Sequence, residues 1–223
     1  MKAIMISISP QYVEKILNGG KTIEIRKTKP KCELPCKVYI YCTKGKQNLY
    51  IPQEFNAFEC DDWSKPYFSK KPILEDVDYL ANGKVVAEFT LNKIDKFDSA
   101  YSEWAYSVAP ENSEMPISET QFIQMAEQKG KLDCNDLLKY FGDEDYIAYA
   151  WHIDDLKIYD KPKELDEFYG AKECPIKDWG DVNNIGCWEY CCEMFSSGEC
   201  RFGHLKLERP PQSWCYVEEL ENE

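Results

Sequence analysis

The chain has 223 residues, of which 43% are hydrophobic, 14% aromatic and 30% charged. This length and composition are typical of one folded domain spanning 1–223 with insertions, and they leave little room for two full domains. The net charge of −13 argues against indiscriminate binding to nucleic acid, and no stretch reaches the roughly 18 apolar residues that a membrane-spanning helix requires.

Strand and helix patterns alternate in the first part of the chain. They predict, in order, a strand over 3–8, a helix from Pro10 to Leu17, and strands over 21–26 and 38–42. Ser9 has the position of a helix N-cap, and Pro10 that of a first helical residue, where its missing N–H has no cost. Gly19 and Gly20 are expected to end this helix, because glycine adopts the left-handed conformation common at helix C-termini.

The rest of the chain is less regular. Its patterns predict a strand over 84–94, mostly helical structure over 99–142, a strand over 146–159 that breaks near Asp154, a short helix or turn over 161–168, and a last strand over 213–217. Ser118 and Gln121 have the spacing of a capping box. Residues 45–82 and 170–208 lack periodicity and are interpreted as insertions. Short strands with few helices indicate a mixed α+β domain built around a small barrel or curved sheet.

Charge is unevenly distributed along the chain. Residues 15–46 carry nine cations and two anions, a net charge of +7, so the other 191 residues sum to −20. An acidic body with one basic surface would admit a polyanion only at that surface. A solvated lysine-rich surface without any ligand explains the same pattern.

Three sequence segments, taken together and in their order along the chain, indicate a protein family more specifically than any one of them does alone. They are Ile-Leu-Asn-Gly-Gly-Lys-Thr-Ile-Glu-Ile-Arg at 16–26, Lys-Val-Val-Ala-Glu-Phe at 84–89, and Arg-Pro-Pro-Gln-Ser-Trp-Cys-Tyr at 209–216. Together they resemble the ASCH domain of the PUA-like superfamily, in the longer form found in Firmicutes and their phages. The resemblance spans 1–217 and implies a small β-barrel with flanking helices. It also implies a cleft, beside the Gly-x-Lys-x-x-Glu-x-Arg turn, that binds RNA or modified nucleobases.

The predicted ligand site centres on the strand after the first helix. Glu24 and Arg26 share one strand face about 7 Å apart, and Lys21 follows a glycine turn. A carboxylate between two cations can accept from an exocyclic amine, while a cation meets a phosphate or a base carbonyl. The predicted binding residues are Lys21, Glu24, Arg26, Lys27, Gln212 and Ser213. The alternative is a Glu24–Arg26 surface pair worth under about 1 kcal/mol.

Two other functions stay open. Small bacterial ASCH amidohydrolases, which act on N4-acetylcytidine, use a lysine, a threonine and a glutamate, and their threonine aligns with Glu24. A hydrolase acting on a modified nucleoside or on RNA would need Glu24 as a general base on water and Lys21 to stabilise the oxyanion. The charge of −20 outside residues 15–46 favours a third function, an acidic factor of phage origin that binds a protein partner.

The number of cysteines in the chain is odd, and their interpretation depends on the compartment. The N-terminal apolar run is too short for a secretion signal, so we expect a cytoplasmic protein in which eleven cysteines are free thiols or metal ligands. Four of five clustered residues are predicted to bind a structural zinc ion: Cys187, Cys191, Cys192, Cys200 and His204. Small buried residues in an insertion explain the cluster equally well. Cys32 and Cys36 are interpreted as part of a turn, and His152 as a structural histidine.

Overall fold

A computed structural model describes residues 2–52, 65–73, 78–100, 117–142, 144–170 and 206–220. Within these ranges the chain is a mixed α+β protein, as the sequence predicts. Its helices are α1 (Pro10–Leu17), α2 (Glu119–Gln128), α3 (Cys134–Phe141) and a 3-10 helix (Leu165–Glu167). Its strands are β1 (Lys2–Ile8), β2 (Ile23–Arg26), β3 (Cys36–Cys42), β4 (Leu49–Ile51), β5 (Tyr67–Phe68), β6 (Tyr79–Leu80), β7 (Val85–Leu91), β8 (Ile94–Asp98), β9 (Ile147–His152), β10 (Asp154–Lys163) and β11 (Trp214–Glu218). The predicted zinc ligands Cys187 to His204 lie outside the described residues.

The main sheet has five strands in the order β10-β7-β3-β1-β11. Its central pair, β1 and β3, is parallel, and the other neighbours are antiparallel. Both faces of β1 are covered: Ile4 and Ile6 belong to one apolar cluster and Ala3 and Met5 to another. Burial on both faces explains why the sequence of β1 is a nearly continuous apolar run.

The chain that follows one edge strand of the main sheet, β10, reaches the strand at the other edge, β11. After β10 and the 3-10 helix, the carbonyl of Tyr169 accepts a hydrogen bond of 2.9 Å from the amide of Glu218 in β11. Gly170 forms a bridge with Val217 of the same strand. The segment 164–170, directly after edge strand β10, therefore pairs with β11 at the opposite edge of the sheet.

A second sheet, β2-β9-β8, carries the region of interest. Ile23 and Ile25 of β2 pack with Phe97 of β8 and with Phe122 of α2 in a separate apolar cluster. Helix α2 begins with the predicted capping box, in which the Ser118 hydroxyl accepts from the Gln121 amide at 3.3 Å. This packing places the loop between α2 and α3 against the start of β2, because the amide of Thr22 donates to the carbonyl of Lys129.

A third, small sheet, β5-β4-β6, is formed by part of the segment 45–82. Leu49 and Ile51 of β4 pack into the main apolar cluster, so this part of the segment shares the core of the domain. The low periodicity of the sequence here reflects strands of only two or three residues.

Several predicted boundaries differ from the observed ones. The strand predicted over 84–94 is two strands, β7 and β8, which belong to different sheets. Strand β10 continues through Pro162, which an edge strand tolerates, so helical structure begins only at Leu165. Ser9 occupies the N-cap position of α1 without a side-chain capping bond, and Gly19 after the helix has the expected positive φ of 72°. None of the helices in the described ranges is long and apolar enough to cross a bilayer.

Candidate functional site

A cavity of about 200 Å³ lies where the end of β1, helix α1, strand β2 and helix α3 meet. Its lining combines apolar side chains of Ile8, Ile25 and Leu132 with larger polar ones: Tyr12, Lys21, Glu24, Arg26, Asp136 and Tyr140. The cavity therefore combines residues from two distant parts of the chain, 7–26 and 132–140, which the second sheet and the helices packed on it hold together.

Lys21 is the most deeply buried charged group of the cavity, with only 2% of its surface exposed. Its Nζ donates a hydrogen bond of 2.7 Å to the carbonyl of Gly130 and lies 3.2 Å from Oε2 of Glu24. Burial lowers the pKa of Lys21, and the neighbouring carboxylate of Glu24 opposes that shift. Lys21 thus links β2 to the loop between α2 and α3.

Arg26 is held from the opposite side. Its Nη2 donates to the carbonyl of Ser7 at 2.7 Å, and its Nη1 donates to the hydroxyl of Ser213 at 3.3 Å. Its Nε lies 3.1 Å from Oε1 of Glu24, an ion-pair contact. The carboxylate of Glu24 is consequently placed between two cations, one at each of its oxygens, and the surface-pair alternative is wrong because Glu24 and Arg26 are each only 8% exposed.

Two tyrosines contribute aromatic surface to the cavity. The Nζ atoms of Lys15 and Lys21 lie 5.2 and 5.5 Å from the ring centre of Tyr12, and Nζ of Lys27 lies 5.0 Å from that of Tyr140. Burial raises the pKa of both tyrosines, and the charge of Glu24 adds to the shift in each. Both phenols are therefore neutral hydrogen-bonding groups at physiological pH.

The charged groups that line the cavity balance. Two cations, Lys21 and Arg26, are matched by two carboxylates, Glu24 and Asp136. Two further lysines, Lys15 and Lys27, have their Nζ atoms over the rings of Tyr12 and Tyr140 and are not among the lining residues. Such an interior suits an uncharged polar ligand better than an isolated anion.

The predicted binding residues are only partly brought together. Lys21, Glu24 and Arg26 line the cavity, and Ser213 contacts Arg26. Lys27 is exposed beside Tyr140, whereas Gln212 is exposed in the turn before β11 and does not line the cavity. These positions separate the predicted set into a buried group and a peripheral group.

Sequence reasoning missed Tyr12, Asp136 and Tyr140. Tyr12 belongs to the apolar stripe of α1, and that pattern predicts core packing rather than a ligand-facing ring. Asp136 and Tyr140 lie on α3, more than 100 residues after β2, and no local pattern shows that α3 packs beside that strand. The Asp133 side chain accepts from the amide of Asp136 at 2.8 Å and so fixes the first turn of α3.

His152 has the structural role predicted from the sequence. Its Nε2 lies 2.7 Å from Oδ2 of Asp95, whose other oxygen is 2.8 Å from Nζ of Lys93. His152 is not part of the cavity lining. Throughout the described ranges, no group of three or more His, Cys, Asp or Glu side chains is arranged to hold a metal ion.

The fold of this chain is similar to those of several solved protein structures. A crystal structure of ASCH from Zymomonas mobilis matches 97% of this chain and 88% of its own, with 15% identity and a TM-score of 0.47. A point mutant of that protein matches 98% of this chain and 92% of its own, with 15% identity and a TM-score of 0.45. Both are ASCH proteins. This is the family that the sequence motifs resemble.

A second mutant of the Zymomonas mobilis ASCH protein gives 14% identity and a TM-score of 0.45 over 97% of this chain and 89% of its own. No protein-family model matches the chain, and no curated protein matches it. Because the identities are at most 15% and the TM-scores are below 0.5, the roles of individual residues are argued from the geometry of the cavity and not from the ASCH structures.

Proposed function

We propose that the chain is an ASCH-type binding module whose cavity takes a single nucleobase, either in RNA or as a modified nucleoside. The observation that carries this proposal is the buried arrangement of Lys21, Glu24 and Arg26 beside a cavity of about 200 Å³. Drug-sized ligands occupy roughly 300–1,000 Å³, so a smaller cavity suits one planar ring system.

The chemistry of the lining supports a base rather than a phosphate inside the cavity. A nucleobase is uncharged and presents donors and acceptors on its edge, which match a fixed carboxylate and fixed cations. Lys21 has three N–H donors, and two of them are directed to Gly130 and Glu24. The remaining donor and the tyrosine rings of Tyr12 and Tyr140 supply a hydrogen bond and stacking surface.

The phosphates of an RNA ligand would lie outside the cavity. Lys27, Lys29 and Lys31 are exposed in the loop that follows β2, next to the Tyr140 side of the opening. Two or three phosphate contacts from these lysines give a slope of about −1.4 to −2.1 in log affinity against log salt for a single strand. This moderate slope reflects the small number of lysines in the loop after β2.

Binding measurements with matched variants test the proposal. Calorimetric titrations would measure the affinities of wild type, Glu24→Gln and Glu33→Gln for ribonucleosides, N4-acetylcytidine and a short single-stranded RNA. Glu33→Gln is the control because Glu33 is an exposed carboxylate in the same basic segment. Glu24→Gln should weaken nucleoside binding at least tenfold, while Glu33→Gln should not. The double variant Lys27→Ala, Lys29→Ala should weaken RNA binding and leave nucleoside binding unchanged. Equal affinities of wild type and Glu24→Gln for every ligand that binds would refute the assignment of the cavity.

A second candidate function, hydrolysis of a modified nucleoside or RNA, is favoured by one observation. Burial lowers the pKa of Lys21, and a lysine with a lowered pKa beside a carboxylate is a common feature of catalytic sites. Both oxygens of Glu24 already contact cations, which restricts its use as a general base. Product formation from N4-acetylcytidine or RNA that is lost in Glu24→Gln would support the hydrolase, and no product at high enzyme concentration would exclude it.

A structural zinc ion and a protein partner remain proposals from the sequence. Four ligands from Cys187, Cys191, Cys192, Cys200 and His204 would hold zinc with the tetrahedral donor set that it favours. Elemental analysis of the purified protein should give about one zinc per chain, and a zinc-free protein with unchanged stability after chelation would contradict the proposal. The partner-binding function of the acidic surface is tested by a pull-down experiment with the intact chain as bait. Recovery of no protein partner would count against this function.

A further inference from the structure

The loop between β2 and β3 holds two cysteine thiols in contact. The Sγ atoms of Cys32 and Cys36 are 3.1 Å apart, with the Cys32 thiol directed to the Cys36 sulfur, and both residues are free cysteines. A disulfide bond is about 2.05 Å long, so a movement of roughly 1 Å separates this pair from a covalent bond.

The two cysteines are positioned by tertiary contacts. Cys36 is the first residue of β3, faces Leu91 of β7 and belongs to the main apolar cluster, against which Cys32 also packs. The preceding part of the loop is fixed to β11, because the Tyr216 hydroxyl accepts from the amide of Lys31 at 2.6 Å. The contact between the two sulfur atoms therefore depends on the folded structure, and not only on the three residues that separate the cysteines in sequence.

We propose that Cys32 and Cys36 form a reversible thiol–disulfide site that exchanges with low-molecular-weight disulfides such as oxidised glutathione. Cys32 is half-buried and Cys36 is 9% exposed, so the Cys32 sulfur is the one that an external reagent reaches. This proposal is independent of the function proposed for the cavity.

The exchange proceeds in two balanced steps. The thiolate of Cys32 attacks one sulfur of the external disulfide, which breaks the external bond, forms a mixed disulfide and releases one thiol. The thiolate of Cys36 then attacks the Cys32 sulfur and releases the second thiol. Two protein thiols are oxidised to one disulfide, and one external disulfide is reduced to two thiols. Burial raises the pKa of the Cys36 thiol and so keeps it protonated in the reduced protein, which leaves the more exposed Cys32 as the thiol that reacts first with the external disulfide.

Other described cysteines provide a contrast. The sulfur of Cys134 lies 4.0 Å from a carboxylate oxygen of Glu127, and that of Cys42 lies 3.9 Å from the carbonyl oxygen of Thr43. Cys134 is exposed, so it reacts with an external disulfide but forms only the mixed product. Cys134→Ser is accordingly the matched control for Cys36→Ser.

Peptide mapping of the intact chain tests the proposal directly. Trypsin cleaves after Lys31 and Lys37, so both cysteines fall in one peptide, residues 32–37. The folded protein would be equilibrated with mixtures of reduced and oxidised glutathione, quenched with an alkylating reagent and digested. The expected product is a 32–37 peptide that is lighter than its reduced form by two hydrogen atoms and carries no alkyl group.

Two comparisons keep the test decisive. The folded chain should reach half-oxidation of this peptide at a ratio of oxidised to reduced glutathione at least tenfold lower than the same chain in concentrated urea, because only the fold holds the sulfurs in contact. Cys36→Ser should stop at the mixed disulfide on Cys32, and Cys134→Ser should behave as wild type. A doubly alkylated peptide at every ratio, or equal oxidation in the folded and urea-unfolded chains, would overturn the proposal.

Discussion

Replacement of Lys21 by methionine isolates the electrostatic contribution of the buried cluster. Lys21→Met keeps most of the side-chain volume but leaves the carbonyl of Gly130 without its donor and removes one of the two cations beside Glu24. An unsatisfied buried acceptor costs about 1–3 kcal/mol, and breaking a buried ion pair costs about 3–5 kcal/mol. Because Arg26 still contacts Glu24, we expect a loss of about 3 kcal/mol in the free energy of unfolding.

Urea denaturation monitored by circular dichroism measures this loss. The midpoint should fall with an unchanged m value, and the melting temperature should fall by about 6–12 °C for a chain of this size. Lys46→Met, which removes an exposed lysine, is the control and should change stability by less than about 0.5 kcal/mol. A loss in Lys21→Met as small as in this control would refute the conclusion that Lys21 is buried and paired.

Three further predictions concern the supports of the cavity and the second sheet. Gly130→Ala should destabilise the protein by about 1–3 kcal/mol in the same assay, because a Cβ there would lie 2.7 Å from the carbonyl oxygen of Ala126; unchanged stability would contradict this close approach. Asp133→Ala should lose about 1 kcal/mol and fray the start of α3 in hydrogen exchange; unchanged exchange would contradict the cap. Burial alone would raise the pKa of Asp95, but hydrogen bonds from Lys93 and His152 lower it. The ionised Asp95 side chain therefore contributes its full stabilisation above the unfolded pKa of about 3.9, and this contribution is lost as the pH falls through the lower folded pKa. The difference in unfolding free energy between wild type and Asp95→Asn should consequently narrow below about pH 4. A difference that does not change with pH would contradict the pairing.

The first strand, helix and turn could be predicted because their signals are local. Alternating isoleucines mark β1, Pro10 marks the start of α1, and Gly19 marks its end. The Ser118–Gln121 capping box was found for the same reason. Each of these elements is specified within a few residues, so periodicity and capping chemistry suffice.

The construction of the cavity could not be predicted, because it depends on contacts between distant parts of the chain. Lys21 reaches Gly130, which is 109 residues away in sequence, and Arg26 reaches Ser213, which is 187 residues away. The alternating pattern of β2 predicts one buried and one exposed face, but Glu24 and Arg26 are buried as well because the carbonyl of Ser7 and the α2–α3 loop cover that face. Burial of this second face places Glu24 and Arg26 in a buried charged cluster and not in the surface pair that was the alternative from the sequence.

The central claim is that the cluster of Lys21, Glu24 and Arg26 is arranged for a ligand in the adjoining cavity. Its most direct test is a titration of the isotopically labelled full chain with nucleosides, N4-acetylcytidine among them, followed by amide chemical shifts in NMR. We predict saturable shifts at residues that line the cavity, including Glu24, Arg26 and Tyr140. Shifts that are absent, or that stay linear with concentration and confined to the exposed lysines of the β2–β3 loop, would contradict the claim.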